Sequence, residues 1–360
     1  MINWREKLMD ILRSVIEANA SDLHLGAEVA PHIRVNGTIR ATDYAPFSGE
    51  ECRELLFSLM TEDEKRTYEE TKTLDFSFGE PGLGRFRVNI YQQRGTIVAA
   101  IRLLPVEIIK IENLGLPVEP VKRFCSLSHG LVLICGPVGS GKTTTLASMI
   151  DYINKTRSCH IISIEDPIEY VHRNIKSLIH QREVKRDTPN FIDALRFILR
   201  EDPDIVVIGE MRDVETIQTA LTIAETGHLV FATLHTGDTS ESIRRIIDVF
   251  ATGQQAQVVA QLSYMLIGVI NQMLLPTADN NGRVLASEVM VVTPAIQNLI
   301  RENKIEQIYS QLQIGTNFGM QTMSQSLSEL VKKGLISPEF ALLKTKREKE
   351  LYKLLEKKHA

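Results

Sequence analysis

Gly130-Leu131-Val132-Leu133-Ile134-Cys135-Gly136-Pro137-Val138-Gly139-Ser140-Gly141-Lys142-Thr143-Thr144 decides the fold of this chain. The apolar run Leu131–Cys135 reads as a short buried strand, and residues 145–153 continue as a helix. Between them, Gly136 to Thr144 satisfies the pattern G-x-x-x-x-G-K-[ST] in the required setting, strand before and helix after. Each residue type has a physical reason. The glycines let the backbone curl until several N–H groups point inward at phosphate oxygens, and the helix start adds its positive dipole end. Lys142 supplies a mobile cation for the β- and γ-phosphates, and the Thr143 hydroxyl suits Mg²⁺. Gly136, Pro137, Val138, Gly139, Ser140, Gly141, Lys142, Thr143 and Thr144 are therefore read as a nucleotide cradle.

Downstream, apolar runs at His160–Ile164, Ile205–Ile208 and Leu229–Ala232 alternate with helical segments. Short buried strands between helices predict a parallel α/β sheet. Open sheets of this kind bind ligands beyond the carboxyl ends of their strands. Ile205-Val206-Val207-Ile208 leads through Gly209 to Glu210, the place of a Walker-B acid, here Glu rather than Asp, which would serve metal and water. A second acidic cluster, Glu165-Asp166-Pro167-Ile168-Glu169, ends the preceding strand. His228 and His235 flank Leu229–Thr233. His235 stands at the same edge as the acids, placed to sense a γ-phosphate, whereas His228 lies at the far end. The apolar stretch from Val258 to Leu275 repeats as Val259, Leu262, Leu266, Val269, Ile270 and Met273, which predicts a core-facing helix. Its Gln261, Ser263, Asn271 and Gln272 argue against a membrane span.

Upstream, residues 4–18 read as an amphipathic helix. Two alternating stretches follow, Ala20–Leu25 and His32–Ile39, with Asn36-Gly37 as a hairpin turn. A helical stretch over 48–70 precedes two more strands, Arg85–Tyr91 and Thr96–Arg102, around a turn near Arg94-Gly95. This first part reads as a small α+β, sensor-like domain. Pro105, Gly115, Pro117 and Pro120 mark a linker. From about residue 293 the pattern is helical, ending in a tail whose residues 344–360 hold seven Lys or Arg and three Glu, read as a solvated helix.

The whole chain has 360 residues, 43% hydrophobic and 24% charged, enough to bury at least one full core without disulfides or metal. Lys and Arg number 41 against 45 Asp and Glu, and the net charge of -4 speaks against a nucleic-acid coat. Cys52, Cys125, Cys135 and Cys159 form no Cys-x-x-Cys pair, as expected of reduced thiols rather than a zinc module. The first residues lack the apolar core of a secretion signal, so a cytoplasmic location with peripheral membrane contact is expected.

Several stretches together resemble one family. Ser21–Leu25, Gly84–Asn89, Glu165–His172, Leu199–Asp204 with Gly209–Asp213, Thr226–His235 and Ala295–Glu302 are similar to the motifs of the type IV pilus retraction ATPases, the twitching-motility motors of the secretion-ATPase superfamily. The resemblance covers nearly the whole chain. It implies an N-terminal PAS-like α+β domain (1–104), a linker (105–120), a RecA-like P-loop ATPase core (121–292) and a C-terminal helical region with a charged tail (293–360). It further implies a homohexameric ring that hydrolyses ATP with Mg²⁺, acts on an inner-membrane pilus platform protein from the cytoplasmic face, and binds no nucleic acid. By position in the motifs, Glu169 is the general base, Glu210 serves metal and water, and Thr143 ligates the metal. Arg87 and Arg102 are the best-placed arginine fingers from the N-terminal domain, and Arg245 falls near the nucleotide. The chain departs from the family at Gln297, where Arg is usual, and at the polar segment Leu275–Gly282. Three rival readings are a pilus-assembly or type II secretion ATPase, a non-hydrolysing, nucleotide-gated partner subunit, and a nucleic-acid translocase, against which the net charge of -4 weighs. The first usually carries a four-cysteine zinc module and a longer N-terminal extension, neither of which is read here. The second fits poorly with two acids at the sheet edge.

Overall fold

Residues 3–35, 37–104, 107–279 and 281–356 are described by the computed structural model. The chain separates into two units: Met1–Glu107 with Pro167–Val171, and Ile108–Asp166 with His172–Ala360.

The first unit begins with α1 (Trp4–Glu17), whose Leu8, Ile11, Leu12 and Val15 form one buried stripe, with Asn3 capping the Glu6 N–H. Strands β1 (Asp22–Leu25), β2 (His32–Val35) and β3 (Thr38–Ala41) follow. Asn36 of the expected hairpin turn lies outside the described residues. The stretch 48–70 is two helices rather than one, α2 (Gly49–Phe57) and α3 (Glu62–Thr71). Ser48 with Glu51, and Thr61 with Glu64, each form a reciprocal capping box. The second box starts a new helix because it satisfies backbone N–H groups that a continuous helix would already have used. Strands β4 (Thr73–Glu80), β5 (Gly84–Gln93) and β6 (Thr96–Leu103) complete an antiparallel sheet in the order β3-β2-β1-β6-β5-β4. Leu74, Phe76 and Phe78 of β4 alternate as a strand should, although the sequence reading passed over it. Arg94 and Gly95 both have positive φ, the conformation of the two-residue turn that joins β5 to β6.

The second unit opens with α4 (Val118–Ser126), which starts inside the stretch read as a linker; Pro105 lies outside the described residues. Then come β7 (Gly130–Cys135), α5 (Lys142–Thr156), β8 (His160–Glu165), β9 (Leu178–Glu183), α6 (Phe191–Ile198), β10 (Ile205–Ile208), α7 (Val214–Glu225), β11 (Leu229–Leu234), α8 (Thr239–Asp248) and α9 (Thr252–Met265). A hairpin of β12 (Leu266–Pro276) and β13 (Arg283–Val291) precedes α10 (Pro294–Arg301), α11 (Ile308–Ile314), α12 (Met323–Lys332), α13 (Pro338–Lys344) and α14 (Glu348–Glu356). Among the described residues seven strands form one sheet, β13-β12-β7-β11-β10-β8-β9, parallel except for the edge strand β13. β7, β10 and β11 are buried along their whole length, which is why they read as unbroken apolar runs.

The expected helix from Val258 to Leu275 is corrected: it ends at Met265, and the remainder is strand β12. Ile267, Val269 and Ile270 are β-branched, and a side chain at Gly268 would run into the Phe124 ring, so the backbone is pressed close and paired on both sides. The segment Leu275–Gly282 closes the hairpin, with Asn280 outside the described residues.

The charged tail is also more than a solvated helix. Leu351 of α14 is fully buried in a small core with Leu275, Ala286, Leu327 and Ile336. Lys346 donates to Asp238 at 2.8 Å and Glu241 at 3.2 Å, at the start of α8. Burial alone would raise the pKa of Asp238, but the Lys346 hydrogen bond and the Glu241 N–H outweigh it and hold the value below 3.8. A lowered carboxyl pKa contributes stability that is complete above 3.8 and disappears as pH falls through the folded-state value. Because Lys346 is largely exposed, Lys346→Ala is expected to cost only about 0.5–1 kcal/mol at pH 7. The gap in Tm between this variant and the parent should close as Asp238 becomes protonated; a gap that persists in acid would show that the pair is not its source. Residues 357–360 lie outside the described residues.

Candidate functional site

The cradle joins β7 to α5. Gly136 and Gly141 have φ of +142° and +87°, a region that L side chains rarely adopt. A side chain at Gly136 would also strike the Gln272 carbonyl of the neighbouring strand. Gly141 is the N-cap of α5 and brings no side chain to the helix start, so the first-turn N–H groups have no side-chain cap. Val138 projects from the tip of the loop, and Thr143 is half-buried in the first turn. Lys142 is buried, and its ammonium donates to the Gly136 carbonyl at 2.8 Å and the Pro137 carbonyl at 3.0 Å, with His235 Nδ1 at 3.3 Å.

Strand order explains the last of these partners. β7, β11, β10 and β8 are consecutive neighbours running in one direction, with Cys135 beside Leu234, Ala232 beside Ile208 and Ile208 beside Ile164. Their carboxyl ends therefore deliver Lys142, His235, Glu210 and Glu165 to one edge of the sheet. His235 Nε2 lies 3.0 Å from Glu210 Oε1, and Glu210 Oε2 accepts from Arg212 at 2.7 Å. An ammonium can only donate, so His235 Nδ1 accepts and Nε2–H donates to Glu210 when the imidazole is neutral. Burial pushes the Glu210 pKa up; the Arg212 hydrogen bond and charge, with the hydrogen bond from His235, outweigh it, and the net shift is downward. Glu210 is thus held as a carboxylate. Glu165 accepts from Ser163 at 2.6 Å and Gln181 at 3.1 Å.

One of the two flanking histidines lies away from this edge. His228 sits at the other end of β11, within 3.2 Å of the Ile223 carbonyl and 3.1 Å of the Thr226 hydroxyl, and serves the end of α7. Glu169 is half-buried between buried Ile168 and Tyr170 in Pro167–Val171, which groups with the first unit. Arg245 is exposed on α8, and Gln297 is half-buried on α10. Arg212 and Gln272 were missed by the sequence reading. The acid-plus-two spacing Glu210-x-Arg212 was a usable signal for the first, but the second lay in a stretch taken for helix.

In the first unit Arg87 and Arg102 are cross-strand neighbours on β5 and β6. Asp75 holds Arg87 through two hydrogen bonds, of 3.2 and 2.5 Å, and Asp22 accepts from Arg102 at 2.8 Å. With Asn89 and Ala100 these residues line an open cavity of about 280 Å³. The two guanidiniums are thereby presented together from one sheet face, each oriented by a carboxylate.

No group of three or more His, Cys, Asp or Glu side chains that could enclose a metal exists among the described residues. The Thr143 hydroxyl and the Glu210 carboxylate are hard oxygen donors. That is the sparse protein set suited to Mg²⁺, which keeps waters and phosphate oxygens as its other ligands.

A phosphate cradle with a lysine, an imidazole and a carboxylate linked across adjacent parallel strands defines a P-loop nucleotide-binding protein of the α/β class. Residues 4–341 match the model of the type II/IV secretion system protein family, and the chain belongs to that family. It is 48% identical over 339 residues to the type IV pilus retraction ATPase PilT of Pseudomonas aeruginosa, spanning 94% of this chain and 98% of the relative. It is 47% identical over 335 residues to a twitching motility protein of Neisseria gonorrhoeae, spanning 93% and 89%. Among solved structures, the pilus retraction motor PilT with bound ADP superposes with a TM-score of 0.90 at 50% identity, over 96% of this chain and 98% of that one. No described helix is long and apolar enough to cross a membrane.

Proposed function

We propose that this protein is an ATP-hydrolysing motor that powers type IV pilus retraction by withdrawing pilin subunits from the fibre. The observation that carries the reading is the linked series Lys142, His235, Glu210 and Arg212 at the carboxyl edge of the sheet. Similarity over nearly the whole chain to a pilus retraction motor crystallised with ADP supports it. In this reading the first unit is a PAS-like domain, the second a RecA-like core with a helical C-terminal region, and the working form is a homohexamer. The motor sits at the cytoplasmic face of the inner membrane, acts on the pilus platform protein there, and has no nucleic-acid partner.

Catalysis would divide among this chain's residues as follows. The loop N–H groups of Gly136 to Thr144 and the Lys142 ammonium stabilise charge developing on the β- and γ-phosphate oxygens of ATP. Thr143 and Glu210 hold Mg²⁺, which when bound neutralises phosphate charge. His235, hydrogen-bonded to both Lys142 and Glu210, keeps the two ends of the series in register and senses the γ-phosphate. Glu169 orients the attacking water and accepts its proton, and Arg87 and Arg102 complete the site as fingers. Glu169→Ala is expected to lower kcat about 10²–10⁴-fold while the Kd for ATP stays near that of the parent. Turnover at the parent rate would remove the base assignment.

Steady-state phosphate release with Mg·ATP tests the enzyme, and an absence of turnover would leave only the nucleotide-gated partner reading. The direction of work is tested in cells: deletion of the gene should leave an excess of surface pili, whereas bald cells would mean an extension motor.

A further inference from the structure

We propose that Gln272 is a positioning residue for the phosphate loop, a role that rests on reading Gly136–Thr144 as the nucleotide cradle. Gln272 is fully buried on β12, the strand beside β7. Its Nε2 donates to the Ser140 carbonyl at 2.8 Å. Its backbone carbonyl closes off the space where a side chain at Gly136 would stand, and its Nε2 would sit 3.2 Å from a Cβ at Gly141. One residue of β12 thus faces the first glycine, the serine and the last glycine of the loop.

The direction of the amide is fixed, because only its N–H side can face a carbonyl oxygen. That leaves Gln272 Oε1 buried with no hydrogen-bond partner among the described residues, and the Ser140 hydroxyl is in the same condition. A buried polar oxygen without a partner costs stability, so an apolar side chain of the same length would serve the core better. What the amide supplies is a tether. The Ser140 N–H already turns back to the Pro137 carbonyl at 3.2 Å, and fixing the Ser140 carbonyl toward β12 directs the following peptide N–H groups toward the phosphate side. Asn271, on the opposite face of the same strand, donates to the Thr236 carbonyl at 2.9 Å, next to His235. Two successive residues of β12 therefore hold the two loops from which Lys142 and His235 project.

The test uses the full chain with Gln272→Met, which keeps length and bulk but not the donor, and Gln272→Asn, which keeps the amide but withdraws it by one methylene. Binding of a fluorescent ADP analogue, kcat and KM for ATP, and Tm without nucleotide are measured for each. A positioning role predicts about tenfold weaker ADP binding and about tenfold higher KM in both variants, with kcat little changed and Tm equal or raised in Gln272→Met. A merely structural glutamine would instead lower Tm and leave KM and ADP affinity of the folded fraction unchanged, which would overturn the proposal. Parent-like ADP affinity in Gln272→Asn alone would overturn it as well, even if Gln272→Met fails to fold. If the parent chain itself binds no ADP, it is the nucleotide reading that fails.

Discussion

Lys142→Ala is expected to lower ATP turnover at least about 10²-fold and to weaken nucleotide binding, as the loss of one preorganised charge donor predicts. The side chain is buried and anchored to two loop carbonyls, so its ammonium stands at the mouth of the cradle before any phosphate arrives. Arg212, the next cation in the series, is engaged with Glu210. The fold should survive, since the substitution removes a buried charge without opening the apolar core formed by the strands. Phosphate release and ADP titration on the same preparation check this; a variant retaining half of the parent's turnover would exclude Lys142 from catalysis.

Glu210→Gln is expected to act differently, lowering kcat about 10²–10³-fold with KM nearly unchanged. The amide oxygen still accepts from His235 Nε2–H, so the imidazole keeps its orientation. The carboxylate charge is what disappears, together with its pairing to Arg212 and the hard anionic donor that the proposed Mg²⁺ would use. Arg212 is mostly exposed, so the broken pair should cost at most about 1 kcal/mol of stability. Single-turnover measurements at saturating ATP would separate the two effects. A raised KM with parent kcat would make Glu210 a binding residue rather than part of the chemistry.

How far the sequence led depended on whether a feature is local. The cradle was legible because loop, helix start and lysine are contiguous, and the buried strands around it read as plain apolar runs. Glu210 and His235 were found because each directly follows such a run. What failed was pattern shared between two periods: the spacing from Val258 to Leu275 suits a helix, yet Gly268 against Phe124 and pairing on both sides make its second half a strand. Gln272 was hidden for the same reason, and because the carbonyl it holds lies 132 residues away in the chain. The tail misled by composition. Its charges suggested a free helix, but Leu351 is buried and Lys346 reaches back 108 residues to Asp238. The division of 48–70 was readable, since Ser48-x-x-Glu51 and Thr61-x-x-Glu64 both announce helix starts.

The contacts of Lys142 have a consequence for what the cradle admits. Two carbonyl oxygens and an imidazole nitrogen already accept from its ammonium. A ligand therefore enters by substitution, exchanging neutral acceptors for its own oxygens. Such an exchange gains little from a singly charged, well-hydrated ion such as chloride. It gains much from a polyphosphate, whose several charges also meet the helix start and the loop amides. The arrangement thus favours multiply charged ligands over small singly charged anions.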